Sequence, residues 1–190
     1  MKKKEKLRKK YLKLRKNKYF EITDNFFKPL LIYLTKFLKK KSIFLSLYYP
    51  SNYEVNTLKV LNLIKNRKDI TPLLPCIYEK NNMSFYKWNY LDVLKVNKYG
   101  MLEPHVNKKA FVPNVILLPL LSFDKDNHRL GYGKGYYDKF LNKYLKKNKN
   151  ILTVGVAFSF QKYDKLPTSN HDVRLDCILT EKGIQRAWIY

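Results

Sequence analysis

The residues best suited to chemistry lie in one segment, Pro119–Asp138, which reads PLLSFDKDNHRLGYGKGYYD. Three of the chain's six glycines fall inside it, at Gly131, Gly133 and Gly135, with no serine- or glycine-rich tract around them. The apolar run Val115–Leu121 leads in, and the amphipathic stretch Tyr136–Lys147 leads out. A strand that turns through glycines into a helix lets backbone N–H groups approach an anion without Cβ interference. The helix N-terminus then adds partial positive charge. Arg129 and Lys134 bring two full positive charges to the same place. The chemistry these features suit is the cradling of phosphate. The spacing matches neither the Walker pattern nor the dinucleotide fingerprint. A sharp strand-to-helix turn entering a basic helix also accounts for the residues.

Asp138 follows three residues after the last glycine. A carboxylate there complements the helix macrodipole. It also suits Mg²⁺, a hard cation that takes one or two carboxylates beside nucleotide phosphates and keeps several waters. Asp176 interrupts the apolar run Leu175–Leu179 and reads either as a second ligand to that ion or as a solvent-facing residue at a strand start. His105, His128 and His171 are dispersed and nominate no nucleophilic arrangement. Cys76 and Cys177, in apolar surroundings, read as buried reduced thiols rather than a disulfide or metal pair.

The elements that must position this segment follow from periodicity. Leu7, Tyr11 and Leu14 share one face of a helix over residues 2–18. Thr23 or Asp24 caps a second helix carrying Phe26, Phe27, Leu30, Leu31, Leu34 and Leu38, with Pro29 near its start. Asn56–Asn66 has the next helical pattern, and Tyr136–Lys147 the last, with Phe140, Leu141, Tyr144 and Leu145. Strands are predicted at Ser42–Tyr49 (ended by Pro50), Ile70–Leu74 with Pro75, Val115–Leu121, Ile151–Phe158 and Val173–Leu179. Met83–Trp88 reads as an edge strand or hairpin, and Asn97–Asn107 as a loop. Strands alternating with helices predict an α/β fold: one domain over 1–190, with a mostly parallel sheet covered on both faces.

Composition narrows the function classes. The 190 residues hold 39 Lys plus Arg against 15 Asp plus Glu, a formal charge of +24. Neutralising phosphates drives nucleic-acid binding, so a basic nucleic-acid-binding protein with an incidental glycine turn is the competing reading. Against it, the lysines are scattered, only six of the basic residues are Arg, and 17 Asn and 16 Tyr point to compositional bias at tolerant surface sites. No apolar stretch is long enough to span a bilayer. The basic N-terminus also lacks the apolar core of a secretory signal. The expectation is a monomeric cytoplasmic enzyme acting on small molecules.

PLLSFDKDNHRLGYGKGYYDKFL resembles the signature of the 5-formyltetrahydrofolate cyclo-ligase family. Weaker matches follow the family's order: KEKLRKK, YPSNYEVNT, MSF, KYGMLEP, Gln161, LPTSNHD and LDCILTE. Asn127 stands where many members have glycine, and Asn114 where an Asp commonly precedes the core strand. The resemblance implies a three-layer domain like those of phosphosugar isomerases and CoA transferases. It also implies conversion of 5-formyltetrahydrofolate and ATP, with Mg²⁺, to 5,10-methenyltetrahydrofolate, ADP and phosphate. By similarity Lys4 and Arg8 reach the ATP phosphates, and Arg129, Leu130, Gly131, Tyr132, Gly133, Lys134, Gly135, Tyr136 and Tyr137 line ATP. Tyr132–Tyr136 also border the formyl-bearing end of the folate, with Arg129, Lys134 and Tyr136 the catalytic candidates. Asp138 and Asp176 would hold Mg²⁺, Glu54 would accept hydrogen bonds from the pterin, and Tyr99 would stack on the ring system. Residue by residue, a lysine-rich surface (Lys4, Arg8), a helix-start carboxylate (Glu54) and a loop aromatic (Tyr99) are the structural alternatives.

Overall fold

In the computed structural model, which describes residues 2–37, 42–79, 82–106, 109–146 and 150–186, the apolar runs assemble into a seven-stranded sheet. In chain order the elements are α1 (Lys2–Lys18), α2 (Lys28–Phe37), β1 (Ile43–Ser46), α3 (Val60–Ile64), β2 (Ile70–Ile77), β3 (Met83–Lys87), β4 (Leu94–Val96) and β5 (Leu102–Pro104). There follow β6 (Val115–Pro119), β7 (Ser122–Phe123), β8 (Arg129–Leu130), α4 (Tyr136–Leu145), β9 (Leu152–Val156), β10 (Cys177–Thr180) and β11 (Gly183–Arg186). The large sheet runs β11-β10-β9-β6-β1-β2-β3. Its five inner strands are parallel, and antiparallel β3 and β11 close the edges. This is the mostly parallel α/β architecture that the sequence predicts.

Alternation along β6 explains the three layers. Val115 and Leu117 join Phe27, Leu30 and Leu34 of the α2 region and Val60 and Ile64 of α3. Ile116 and Leu118 join Phe140 and Leu141 of α4 on the opposite face. A strand buried on both sides reads as a continuous apolar run, as this one does. Asn114 stitches β1 to the start of β6: its Oδ1 accepts from Phe44 N at 2.9 Å and its Nδ2 donates to Ser42 O at 2.9 Å.

Several boundaries differ from the sequence reading, each for a local reason. A 3₁₀ turn at Asp24–Phe27 precedes α2, and another at Thr57–Lys59 shortens α3; Leu38 and Lys147 lie outside the described residues. β2 runs on through Pro75, because pairing with β1 stops at Ser46↔Leu73 and the sheet pairing beyond is to β3, with β5 beside it through Ile77 N to Glu103 Oε2, so the missing N–H lies past the β1 ladder. Residues read as a loop hold β5, paired with β4 around a turn where Asn97 Oδ1 accepts from Tyr99 N and Met101 N. β10 begins only at Cys177, since Val173 N and Leu175 N are taken by Asp138 Oδ1 and Asn127 O. The β7–β8 hairpin and β11 were not foreseen. Cys76 and Cys177 are unbridged and buried, and burial pushes their thiols up to about 11 and about 12. No helix among the described residues is long and apolar enough to cross a membrane.

Gly155 has no room for a side chain: a Cβ there would lie 2.6 Å from Ile178, 2.8 Å from Leu120 and 2.9 Å from Leu175. Gly155→Ala is expected to destabilise the fold by about 1–3 kcal/mol through overpacking, read from the midpoint of chemical denaturation.

Candidate active site

The parallel strands, taken in chain order as β1, β2, β6, β9 and β10, lie side by side as β2-β1-β6-β9-β10. The chain therefore leaves β1 toward one edge and β6 toward the other. Open α/β sheets bind ligands at such a switch point, beyond the carboxyl ends of the strands. A cavity of about 990 Å³ lies there, lined by Tyr48, Ser51 and Glu54 after β1, by Pro119 at the end of β6 and by Gly131–Gly135 before α4.

The glycine turn forms one end. Gly133 has φ +96°, and a Cβ on it would lie 2.9 Å from the Arg8 guanidinium carbon, so backbone conformation and neighbour both demand glycine. Gly135, φ 73°, is the N-cap of α4 and brings no side-chain cap, so the first N–H groups of a ten-residue helix face the turn without a side-chain acceptor. Asp138, in the first turn of α4, receives Arg129 Nη2 at 2.7 Å. Lys134 sets its ammonium 5.9 Å from the Tyr99 ring centroid.

Helix α1 closes this end with one stripe of side chains at positions 4, 8, 11 and 15, spaced for a single helix face. Lys4 Nζ pairs with the Asp172 carboxylate. Arg8 Nε donates to Gly131 O at 3.0 Å, and Tyr11 Oη to Lys162 O at 3.1 Å. Arg15, 1% exposed, donates to Asn52 O, Leu120 O and the Tyr132 hydroxyl.

The other end is aromatic and holds a buried carboxylate. Tyr132 Oη donates to Glu54 Oε1, and Ser51 N to Glu54 Oε2 at 2.8 Å. Burial pushes the Glu54 carboxyl up, opposed by the Tyr132 hydrogen bond and the Arg15 charge. Burial likewise holds the Tyr132 and Tyr137 phenols well above their ordinary range. The Tyr99 and Tyr136 hydroxyls are 2.8 Å apart, with rings edge to face at 6.2 Å. Tyr48 Oη is buried here with no hydrogen-bond partner among the described residues.

All the sequence-predicted site residues line this one cavity except Asp176. Asp176 Oδ2 instead accepts from Thr153 N and Oγ1, both at 2.7 Å, at the upstream side of β9 and β10. The pairing of Asp138 with Asp176 is therefore corrected. The other aspartate lining the cavity is Asp172, beside which Val173 N reaches Asp138 Oδ1 at 3.4 Å. Asp172 sits in LPTSNHD, a segment that carried no assigned role. Arg15 was missed too, although its spacing from Arg8 and Tyr11 places it on their face. Another cluster, Asp124, Asp126 and His128, is a turn: the buried Asp124 carboxylate accepts from the backbone of Asp126, His128 and Leu166, and Asn127 holds φ 60°.

A doubly wound α/β domain with a cationic glycine turn facing two carboxylates at its switch point is an enzyme architecture for small anionic substrates. The profile of the 5-formyltetrahydrofolate cyclo-ligase family matches residues 1–181. The chain belongs to that family, whose members are ligases that form a carbon–nitrogen bond. It is similar to the 5-formyltetrahydrofolate cyclo-ligase of Haemophilus influenzae, 30% identical over 141 residues that span 71% of this chain and 74% of the relative. The Mycoplasma pneumoniae cyclo-ligase is 37% identical over 129 residues, 57% of this chain and 76% of the relative. Among solved structures, 5,10-methenyltetrahydrofolate synthetase from Aquifex aeolicus superposes with a TM-score of 0.74 at 32% identity, covering 98% of this chain and 94% of that one. The M. pneumoniae synthetase superposes with a TM-score of 0.71 at 27% identity, covering 94% and 98%.

Burial pushes the Asp172 carboxyl up, but Lys4 and the Ser169 backbone outweigh it and hold the group below its usual range. A carboxyl lowered by folding adds stability above its unfolded value near about pH 4, lost as pH falls through the folded value. Wild-type protein should therefore exceed Asp172→Asn in melting temperature at neutral pH, and the gap should narrow progressively as pH falls below about 4, as read by thermal unfolding.

Proposed function

We propose that this protein uses ATP and Mg²⁺ to close 5-formyltetrahydrofolate into 5,10-methenyltetrahydrofolate, releasing ADP and phosphate. The observation that carries the reading is one cavity joining a cationic glycine turn to an aromatic end with a buried acceptor. The formyl oxygen attacks the γ-phosphorus and ADP leaves. N10 then attacks the activated carbon, and loss of phosphate and the N10 proton closes the ring. An amide oxygen leaves poorly until it carries phosphate. The two reacting atoms already belong to one molecule, so ring closure costs little further entropy. The protein is left to position the groups and to neutralise charge.

Lys4, Arg8 and Lys134, with the α4 backbone N–H groups, surround the triphosphate, and Leu130 and Tyr137 line its path. Asp138 and Asp172 suit a hard divalent ion, since both carboxylates face one cavity and such an ion needs no more than one or two. When bound, it supplies charge neutralisation at the β- and γ-phosphates. Arg129, ion-paired with Asp138, orients that carboxylate and adds charge beside the turn. At the folate end Glu54 accepts from pterin N–H groups, the Tyr48 hydroxyl offers a donor, and Tyr99 presents its ring for stacking with Tyr136 set edge to face beside it.

Absorbance of methenyltetrahydrofolate should develop only when 5-formyltetrahydrofolate, ATP and Mg²⁺ are all present; no product over a range of pH and folate glutamylation overturns the proposal. Lys134 is exposed, so Lys134→Met should lower kcat by about 10²-fold while leaving the melting temperature in place. An unchanged kcat removes Lys134 from the catalytic set.

A further inference from the structure

We propose that Arg15 is a positioning residue for the folate end of the site, acting through Asn52 and Tyr132 on the Glu54 carboxylate. The inference rests on the reading of Glu54 as the pterin acceptor. Arg15 does not itself line the cavity. It is fully buried on a helix whose other basic side chains are partly or fully exposed, and a guanidinium withdrawn from water is tolerated only with its donors satisfied. Its three donating nitrogens reach three segments: Nε to Asn52 O at 2.9 Å, Nη1 to Leu120 O at 3.2 Å, and Nη2 to Tyr132 Oη.

Two of those acceptors lead to Glu54. Tyr132 Oη accepts from Arg15 and donates to Glu54 Oε1, a continuous chain from guanidinium to carboxylate. Asn52 lies two residues upstream of Glu54, in a turn where Asn52 (φ 48°) and Tyr53 (φ 62°) are both left-handed. Consecutive non-glycine residues in that region, one of them aromatic, persist only where surrounding contacts hold them, and such strain gathers at functional sites. The Arg15 bond to Asn52 O is such a contact, and Glu54 reaches back to Ser51 N across the same turn. Arg15 thus fixes both the backbone that presents Glu54 and the hydroxyl that orients its Oε1. Its positive charge also favours the ionised, accepting form of a carboxyl that burial pushes toward neutrality.

A purely structural arginine would weaken every ligand alike. The test measures binding of 5-formyltetrahydrofolate, and separately of Mg²⁺ with a non-hydrolysable ATP analogue, by calorimetry on wild type, Arg15→Lys, Tyr132→Phe and the double variant. Arg15→Lys keeps the charge but not the three-way fork. It should weaken folate binding about tenfold, the cost of one charge-assisted hydrogen bond, with nucleotide affinity unchanged within about twofold. The double variant should bind folate no worse than the weaker single, as expected of one connected chain. Equal loss for both ligands, folate affinity unchanged in Arg15→Lys, or full additivity overturns the inference while leaving the proposed function intact. Wild-type protein that binds no 5-formyltetrahydrofolate overturns the proposed function, and this inference with it.

Discussion

The site depends on docking a lysine-rich helix that has little apolar surface with which to dock. Leu7 and Tyr11 are the fully buried apolar side chains of α1, with Leu12 and Leu14 packed partly buried beside them, a modest anchor for seventeen residues. Polar contacts from one stripe make up the difference. Lys4, Arg8, Tyr11 and Arg15 reach Asp172, Gly131, Lys162 and the Asn52–Leu120–Tyr132 group, so α1 ties the chain after β1, β6, β8 and β9 into one surface. Those four exits supply one side of the cavity, and β2, β3, the β4–β5 turn and α4 supply the rest. The helix that closes the site is also what assembles it.

Charge within the cavity is balanced pairwise and not merely accumulated. Asp138 meets Arg129, Asp172 meets Lys4, and the Glu54 carboxylate meets the Arg15 charge through the Tyr132 hydroxyl. Arg129 and Lys4 line the cavity beside their carboxylates, whereas Arg15 lies behind its lining. Under the proposed function, a nucleotide and a divalent ion would exchange partners with Asp138 and Asp172 among groups already in place, which would limit the reorganisation demanded at the moment of reaction. Much of the chain's large positive charge lies elsewhere, on exposed lysines, and contributes to long-range attraction of anions rather than to contact.

The junction of Leu120 and Leu121 with Gln161 links this polar assembly to the core. Gln161 Nε2 donates to the carbonyls of both leucines at 3.0 Å, and its Oε1 accepts from Phe158 N at 2.8 Å. Leu120 O also accepts from Arg15. The exit of the central strand is thereby held from both sides just before the β7–β8 hairpin that delivers Arg129 and the glycine turn. A loop that must present several groups to one ligand gains its precision from such fixed points.

Local physics made much of this legible in the amino-acid string. Period-3.6 and continuous apolar runs specify the four helices and the parallel strands, and glycines crowded before a helix specify a tight turn, because these signals depend on neighbours within a few residues. Strands of two to four residues are too short to show a period even when their partner is the next strand in the chain, which is why the β7–β8 hairpin, the β4–β5 hairpin and β11 emerged only in the fold. The same limit explains the carboxylates. Asp172 and Asp176 are four residues apart in similar surroundings, and their fates separate because the backbone bonds of Val173 to Asp138 and of Leu175 to Asn127 turn the chain between them. Arg15, read along the helix, is one more basic residue; it becomes a buried hub because three carbonyl and hydroxyl oxygens from remote segments converge on its guanidinium. What a residue is and which element it occupies were written locally, and which residues meet was decided by the long-range return of the chain.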